Sequence, residues 1–425
     1  MNLQESGSTK LSIPYGKDEV HFEVPKPNLM GIFCPKTVPG VEDESKAIQD
    51  ALLNPIDSKP LPEIAEGRNR IVIITTDVTR PTKDHLIIPS ILNVLAQAGV
   101  KEEKIMVIIG RGQHREMAEA EVEQKVGRDV LDRVTVVQHN PDKNLVDLGA
   151  TRRGNRVLVN SEVARADLRI STGNIVPHSY AGFGGGAKSI LPGVCGRETI
   201  YRNHLCVVEG KSGPGVLEDN PIRIEMDEAA AMVDLNFIIN TVMSSGGHIV
   251  KVFAGHFLGA HRQGVRFAKD LLGVHMPSRA EVVVSSGSPM DISFYQASKA
   301  LEIERQAVAD GGVYILASPC YEGVGEEDLY RFLTLKSPEE ILRELRRPKP
   351  STNLVSGVAA YLIAKMRERI EIVLVSDGLK RERVEAMGFK RADSVQAAID
   401  KSLEKKGRDS RVAVFPQGPI TFPVL

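Results

Sequence analysis

Between His178 and His204 the chain gathers metal-ligating, nucleophilic and phosphate-binding residue types into one short stretch. A histidine is followed by Gly182-Phe183-Gly184-Gly185-Gly186-Ala187-Lys188, then Leu191-Pro192-Gly193 and a second histidine. Four glycines in five residues strip side chains from the backbone, so a bulky ligand can lie against the main chain while the Lys188 amine projects into it. Imidazoles on both sides add metal-ligand and proton-transfer capacity.

The segment Gly182 to Ser189 reads G-x-x-x-x-A-K-S, one position away from a phosphate-binding loop. Ala187 stands where that loop needs glycine, Val176 to Tyr180 is a poor strand, and Pro192 and Gly193 interrupt the helix that should follow Lys188. A nucleotidase loop is therefore the weaker reading, as is a merely tight surface turn. Of the ten histidines, His21, His85, His139, His248, His256, His261 and His275 sit where a solvated or hydrogen-bonded side chain explains them. His114 differs, because it lies in the glycine-flanked run Gly110-Arg111-Gly112-Gln113-His114-Arg115 after an apolar strand. His114, His178 and His204 show no HxxxH or HxH spacing, so a three-histidine zinc site is open but not indicated.

The elements that must position these residues alternate strand and helix, the pattern of parallel sheets covered by helices. Strands are predicted at 71–76, 104–109, 133–138, 156–159 and 167–171, with a helix at 85–98 stopped by Gly99 and a short one at 197–202. Residues 236–243 and 248–253, joined by Ser-Ser-Gly-Gly, read as an antiparallel hairpin, followed by a helix over 256–272. After a linker at Met276-Pro277-Ser278 the alternation restarts: strands at 281–285, 313–317, 370–376 and 411–415, helices at 295–309, 326–335, 338–346, 354–369 and 394–405. The predicted fold class is thus α/β: two three-layer domains with mostly parallel sheets, residues 1–275 and 276–425. Asp77 to Pro81, Gly110 to Arg115, Thr172 to Asn174 and Ser285 to Pro289 all follow strands, the edge where such sheets bind ligands, and a site in the interdomain cleft is predicted.

Composition limits the function classes. With 54 basic and 55 acidic residues in 425 there is no electrostatic case for nucleic acid or a membrane surface. No apolar run reaches the length of a membrane span and Met1 to Tyr15 lacks a signal-peptide core, so the expected location is the cytoplasm. Cys34, Cys195, Cys206 and Cys320 are widely spaced, which argues against a disulfide scaffold or a thiolate zinc site.

Taken together, Asp77-Val78-Thr79-Arg80-Pro81, Gly112-Gln113-His114-Arg115, His178-Ser179-Tyr180-Ala181-Gly182-Phe183, Gly185-Gly186-Ala187-Lys188, Leu191-Pro192-Gly193, Glu198-Thr199-Ile200 with Asn203-His204, and Tyr295-Gln296-Ala297-Ser298-Lys299 resemble the nickel-dependent lactate racemases. The resemblance spans residues 77–299 in order. It implies a nickel-pincer nucleotide, a pyridinium-3-thioamide-5-thiocarboxylic acid mononucleotide that holds nickel, tethered through Lys188 with His204 as the protein ligand to the metal. It further implies His114 and His178 as the acid/base pair, Asp77, Thr79, Gly184, Gly185 and Gly186 around the cofactor, and Arg80, Tyr180, Tyr295, Gln296 and Lys299 toward the substrate. Gln296 and Lys299, three apart at a helix start, should point to one side.

Such an assembly suits inversion at C2 of a 2-hydroxy acid. The C2 hydrogen beside an ionised carboxylate is barely acidic, so its removal as hydride to an electrophilic carbon is the easier route, with a base taking the hydroxyl proton. The family pattern often has threonine at Gln113, and Arg197 places a charge near the His204 segment; either suits a longer or more polar substrate than lactate, or faces solvent. The expected partners are a small 2-hydroxy acid and the proteins that make and load the cofactor. Two alternatives stay open: a zinc-dependent hydrolase using His114, His178 and His204, and a non-catalytic nucleotide-binding protein.

Overall fold

The computed structural model describes residues 7–244, 246–335, 337–346, 352–407 and 409–425. Ser245 of the predicted hairpin turn and the first six residues of the Met1–Tyr15 stretch lie outside these. The chain divides into two compact units, one of Thr37–Leu271 and the other of Met1–Lys36 together with Leu272–Leu425. Both are α/β with mostly parallel sheets, as the alternation of elements implied.

In the Thr37–Leu271 unit the apolar run Ile71–Thr76 is a strand buried on both faces, which explains why it shows no polar alternation. It lies inside a six-stranded sheet in the order Ile249–Gly255, Phe237–Met243, Leu168–Asn174, Ile71–Thr76, Ile105–Gly110, Thr135–Gln138. Only the outer pair is antiparallel, and it is the predicted hairpin. Ile71, Ile73, Val107, Ile170 and Ile239 form a core with Ile87, Ile88, Ile91 and Leu95 of the helix Asp84–Gln97. Parallel pairing aligns the ends of these strands, so Asp77, Gly110 and Asn174 emerge along one edge.

The second unit holds a six-stranded, all-parallel sheet in the order Lys390–Arg391, Glu371–Val375, Val308–Ala317, Ala280–Ser286, Val412–Phe415, Leu29–Ile32. Its last strand corrects the predicted division, which placed everything before residue 276 in one N-terminal domain. Leu29 pairs with Val412, and Ile13, Phe22 and Val24 of the hairpin Ser8–Tyr15/Asp18–Pro25 pack with Val395, Ala398 and Ile399 of the helix Val395–Lys406. Four residues of strand carry too little periodicity to reveal a partner nearly the whole chain away.

Three further differences have local causes. The strand Arg156–Asn160 leaves the main sheet and pairs antiparallel with Leu145–Ala150. The helix predicted over 295–309 stops at Glu304, and the strand beginning at Val308 takes the rest, because Val308 already pairs with Ala280 before the irregularity at Gly311-Gly312. The helix predicted to end at 202 runs from Arg197 to Leu205, which puts His204 in its last turn. Among the described residues no helix is long and apolar enough to cross a membrane.

Candidate active site

The chain leaves the strand Ile71–Thr76 at Asp77, whose buried carboxylate organises the following turn. Its Oδ1 accepts from the Thr79 amide at 2.9 Å and the Thr79 hydroxyl at 2.5 Å, while Oδ2 faces His114 Nδ1 at 2.6 Å. Burial acts to raise the Asp77 pKa, yet the hydrogen bond and charge of His114, the charge of Arg80 and the Thr79 hydroxyl together hold it well below the usual carboxylate range. Arg80 is anchored at one nitrogen by the Thr79 carbonyl (3.2 Å) and hydroxyl (3.1 Å). Beneath this turn Lys125 donates to the Arg80 and Thr82 carbonyls and pairs with Asp84 at 3.1 Å, both side chains being buried.

His114 rides on the loop after Ile105–Gly110. That loop lies against Leu191-Pro192-Gly193, with the Gly112 amide on the Gly193 carbonyl at 3.0 Å. Gln113 donates to the Arg197 carbonyl at 3.3 Å, and the Arg197 guanidinium is paired with Asp142 at 2.8 and 2.6 Å. Arg197 is therefore engaged by a carboxylate of its own unit, so nothing here favours it as a contact to a polar substrate.

The other half of the cluster is built around Lys188. Its Nζ lies 3.3 Å from His178 Nε2, and the Ala181 amide reaches His178 Nδ1 at 3.3 Å. The Tyr180 ring stands edge-on between two imidazoles, its centroid 4.6 Å from that of His178 and 4.9 Å from that of His204. Burial, with the positive charges of Arg80 and Arg223, drives the Lys188 amine well below its ordinary pKa. Burial likewise pushes His178 well down, helped by Lys188, Arg80, His204 and Arg223, and brings His204 to about 3, helped by Lys188 and His114. Shifts in this direction favour the uncharged amine and imidazoles, the state that nucleophilic attack and metal ligation require.

The glycines of the loop have a different purpose from the one their number suggested. A Cβ on Gly182 would come within 2.2 Å of the Val216 carbonyl, on Gly184 within 2.9 Å of the Asn174 carbonyl, on Gly185 within 2.6 Å of Asn240 Oδ1 and on Gly186 within 2.8 Å of the His261 ring. Their Cβ directions face the protein, so the glycines let the loop pack inward. Arg223, fully buried, donates to the carbonyls of Ala181 and Phe183; Asn240 Oδ1 accepts from the Gly186 amide at 2.7 Å; His261 Nε2 meets the Gly184 carbonyl at 2.8 Å. Neither spacing nor composition pointed to Arg223 or Asn240. The one usable signal was Asn220-Pro221, which caps the helix Pro221–Met232 that carries Arg223.

Asp77, Thr79, Arg80, His114, His178, Tyr180, Lys188 and His204 thus belong to one network of the Thr37–Leu271 unit. Tyr295, Gln296 and Lys299 lie on the other unit, in the first turns of the helix Phe294–Glu304 capped by Ser293, and Lys299 Nζ donates to Gln296 Oε1. Those two side chains share one side, as their spacing required. Among the described residues no three His, Cys, Asp or Glu side chains are grouped as a metal site needs, so the zinc-hydrolase alternative lacks its ligand set.

The model of the lactate racemase N-terminal domain matches residues 15–215, and that of the lactate racemase C-terminal domain residues 275–421. The chain is 32% identical over 416 residues to a lactate racemase of Thermoanaerobacterium thermosaccharolyticum, covering 96% of this chain and 97% of the relative. It is 30% identical to a lactate racemase of Lactiplantibacillus plantarum, over 96% and 98% of the two chains. Its structure matches that of the lactate racemase apoprotein from T. thermosaccharolyticum with a TM-score of 0.89 at 31% identity, covering 98% of this chain and all of the other. A Thermotoga maritima protein at 20% identity, with a TM-score of 0.69 over 91% of this chain and 100% of the other, shares the fold. By sequence over nearly its whole length and by structure, this chain belongs to the lactate racemase family and is an isomerase.

Proposed function

We propose that the protein inverts C2 of a 2-hydroxy acid, lactate or a longer or more polar analogue, using a nickel-pincer nucleotide attached to Lys188. The observation that carries this reading is the grouping of a half-buried amine with two imidazoles: Lys188 Nζ is 3.3 Å from His178 Nε2, and Tyr180 links His178 to His204. These residues fit the cofactor, since thioamide formation needs an unprotonated amine and a metal needs a bare imidazole nitrogen. Lys188 would hold the group covalently and His204 would bind its nickel. When bound, the group supplies an electrophilic carbon that takes the C2 hydrogen with its electron pair.

The remaining work falls to side chains. Asp77 accepts from Nδ1 of His114, which leaves Nε2 as the nitrogen that exchanges a proton with the substrate hydroxyl. His178, whose imidazole is held well below its ordinary pKa, serves the opposite enantiomer, and the two histidines exchange roles when the reaction runs backward. Arg80, with Gln296, Lys299, Tyr180 and Tyr295, would bind the substrate, Arg80 being the residue suited to clamp its carboxylate in two-point fashion.

The test is intact mass and metal content of the chain produced together with cofactor-synthesis proteins. A Lys188 adduct with about one nickel per chain is expected, absent in Lys188→Ala. Unmodified Lys188 without nickel in a preparation where a known lactate racemase loads would overturn the reading.

A further inference from the structure

The unit that carries His204 also contains a buried carboxylate with no place in the chemistry above. Glu225, 1% exposed, lies on the helix Pro221–Met232 and accepts from Thr151 Oγ1 at 2.9 Å, Asn155 Nδ2 at 3.1 Å and Asn203 Nδ2 at 2.9 Å. Asn203 Nδ2 also donates to the Ile222 carbonyl at 3.1 Å. A carboxylate and a carbonyl are both acceptors, so the amide has one orientation: its NH2 toward Glu225 and Ile222, its Oδ1 toward the neighbouring imidazole. That oxygen is 3.3 Å from His204 Nδ1, and both residues are buried. An amide oxygen only accepts, so Nδ1 must carry the proton and the lone pair of the neutral ring falls on Nε2.

We infer that Glu225 and Asn203 are positioning residues for His204: the carboxylate orients the Asn203 amide, and the amide fixes the Nδ1–H tautomer that leaves Nε2 bare for a metal. This inference rests on His204 being the metal ligand. Partners of this kind behind a ligating histidine set its ring orientation and typically contribute about 10–100-fold to metal affinity. The arrangement depends on acceptor geometry at Glu225. A glutamine there can face its single oxygen toward the two amides and its NH2 toward the Thr151 hydroxyl, whereas methionine leaves the Asn203 amide without its buried acceptor.

Two measurements test this. Long-range nitrogen–proton NMR of His204 in the cofactor-free chain is expected to show Nδ1–H in the wild type and in Glu225→Gln, with Nε2–H appearing in Glu225→Met and Asn203→Leu. In cofactor-loaded protein, nickel loss to a chelator should quicken by about 10-fold or more in those two variants while the Lys188 adduct mass is unchanged. An Nε2–H ring in the wild type, or unchanged tautomer and nickel retention in both variants, would overturn the inference. If wild-type Lys188 carries no adduct, the proposed function fails instead, and the tautomer of cofactor-free His204 still decides the role of Glu225 and Asn203. Should Glu225→Met not fold, the wild-type and Asn203→Leu spectra suffice.

Discussion

Asp77 has two oxygens with two separate duties, one tying the Thr79 turn and the other holding His114 at 2.6 Å. Replacing it with asparagine keeps an oxygen for Thr79 but offers the imidazole an NH2 group, which favours the wrong tautomer. Asp77→Asn should therefore lower kcat by about 10²- to 10⁴-fold, as loss of an orienting carboxylate does elsewhere, with a thermal midpoint close to wild type. Steady-state kinetics and a melting curve check it; an unchanged kcat would remove Asp77 from the orientation of His114. Residues of this kind were legible because their types are unusual in their places: an aspartate at the end of an apolar strand, a histidine among loop glycines, a lysine after a glycine run. Arg223, Asn240 and Glu225 were not. Each acts through a hydrogen bond to a residue distant in sequence, and nothing in its own neighbourhood records that partner.

At the scale of elements, the glycine loop shows how a correct motif can carry a mistaken reason. Gly185 has φ 75° and ψ −175°, a conformation that essentially only glycine adopts, and its Cβ direction ends 2.6 Å from the Asn240 oxygen that also receives the Gly186 amide. Gly210 also has positive φ, 71°, but nothing lies within 4 Å of its Cβ direction. Gly185→Ala should thus destabilise the chain by about 3 kcal/mol and Gly210→Ala by about 1 kcal/mol, a difference that urea unfolding resolves. Equal losses would mean that crowding against Asn240 is relieved without cost. Strand and helix types followed the apolar periodicity over most of the chain, because Ile71–Thr76 or Leu354–Arg369 buries a pattern that its own residues display. Prediction failed where partnership outweighed pattern: at Leu29–Ile32, at Val308, and at the last turn of the helix Arg197–Leu205.

The molecule as a whole should be sensitive to mild acid. His178 and His261 are held well below the ordinary imidazole pKa, His139 is lowered to about 4 and His204 to about 3, in each case first by burial. In the unfolded chain these four rings take up protons below about pH 6.5, and in the folded chain they do not until lower pH. On account of these rings the unfolded state then binds more protons, so their contribution to stability falls as pH drops from about 6.5 toward 4, while Glu304, raised well above the usual carboxylate range by burial, acts in the opposite sense. Asp77, depressed instead of raised, adds a further loss only below its ordinary value near 3.8. His139→Gln with His261→Gln, neither in the proposed chemistry, should cut the slope by about two protons in urea midpoints measured against pH. A slope unchanged in that double variant would place the acid sensitivity elsewhere.

The pairing of Leu29–Ile32 with Val412–Phe415 also sets an order of events during synthesis. The Thr37–Leu271 unit is complete as soon as its own residues have emerged, and in sequence it separates the two pieces of the other unit. The first strand of that other sheet must wait, unpaired, until the last has been made. A nascent chain stalled before residue 411 would hold one finished unit and four paired strands of the other sheet, with Leu29–Ile32 and the edge of Ala280–Ser286 both lacking the strand that joins them.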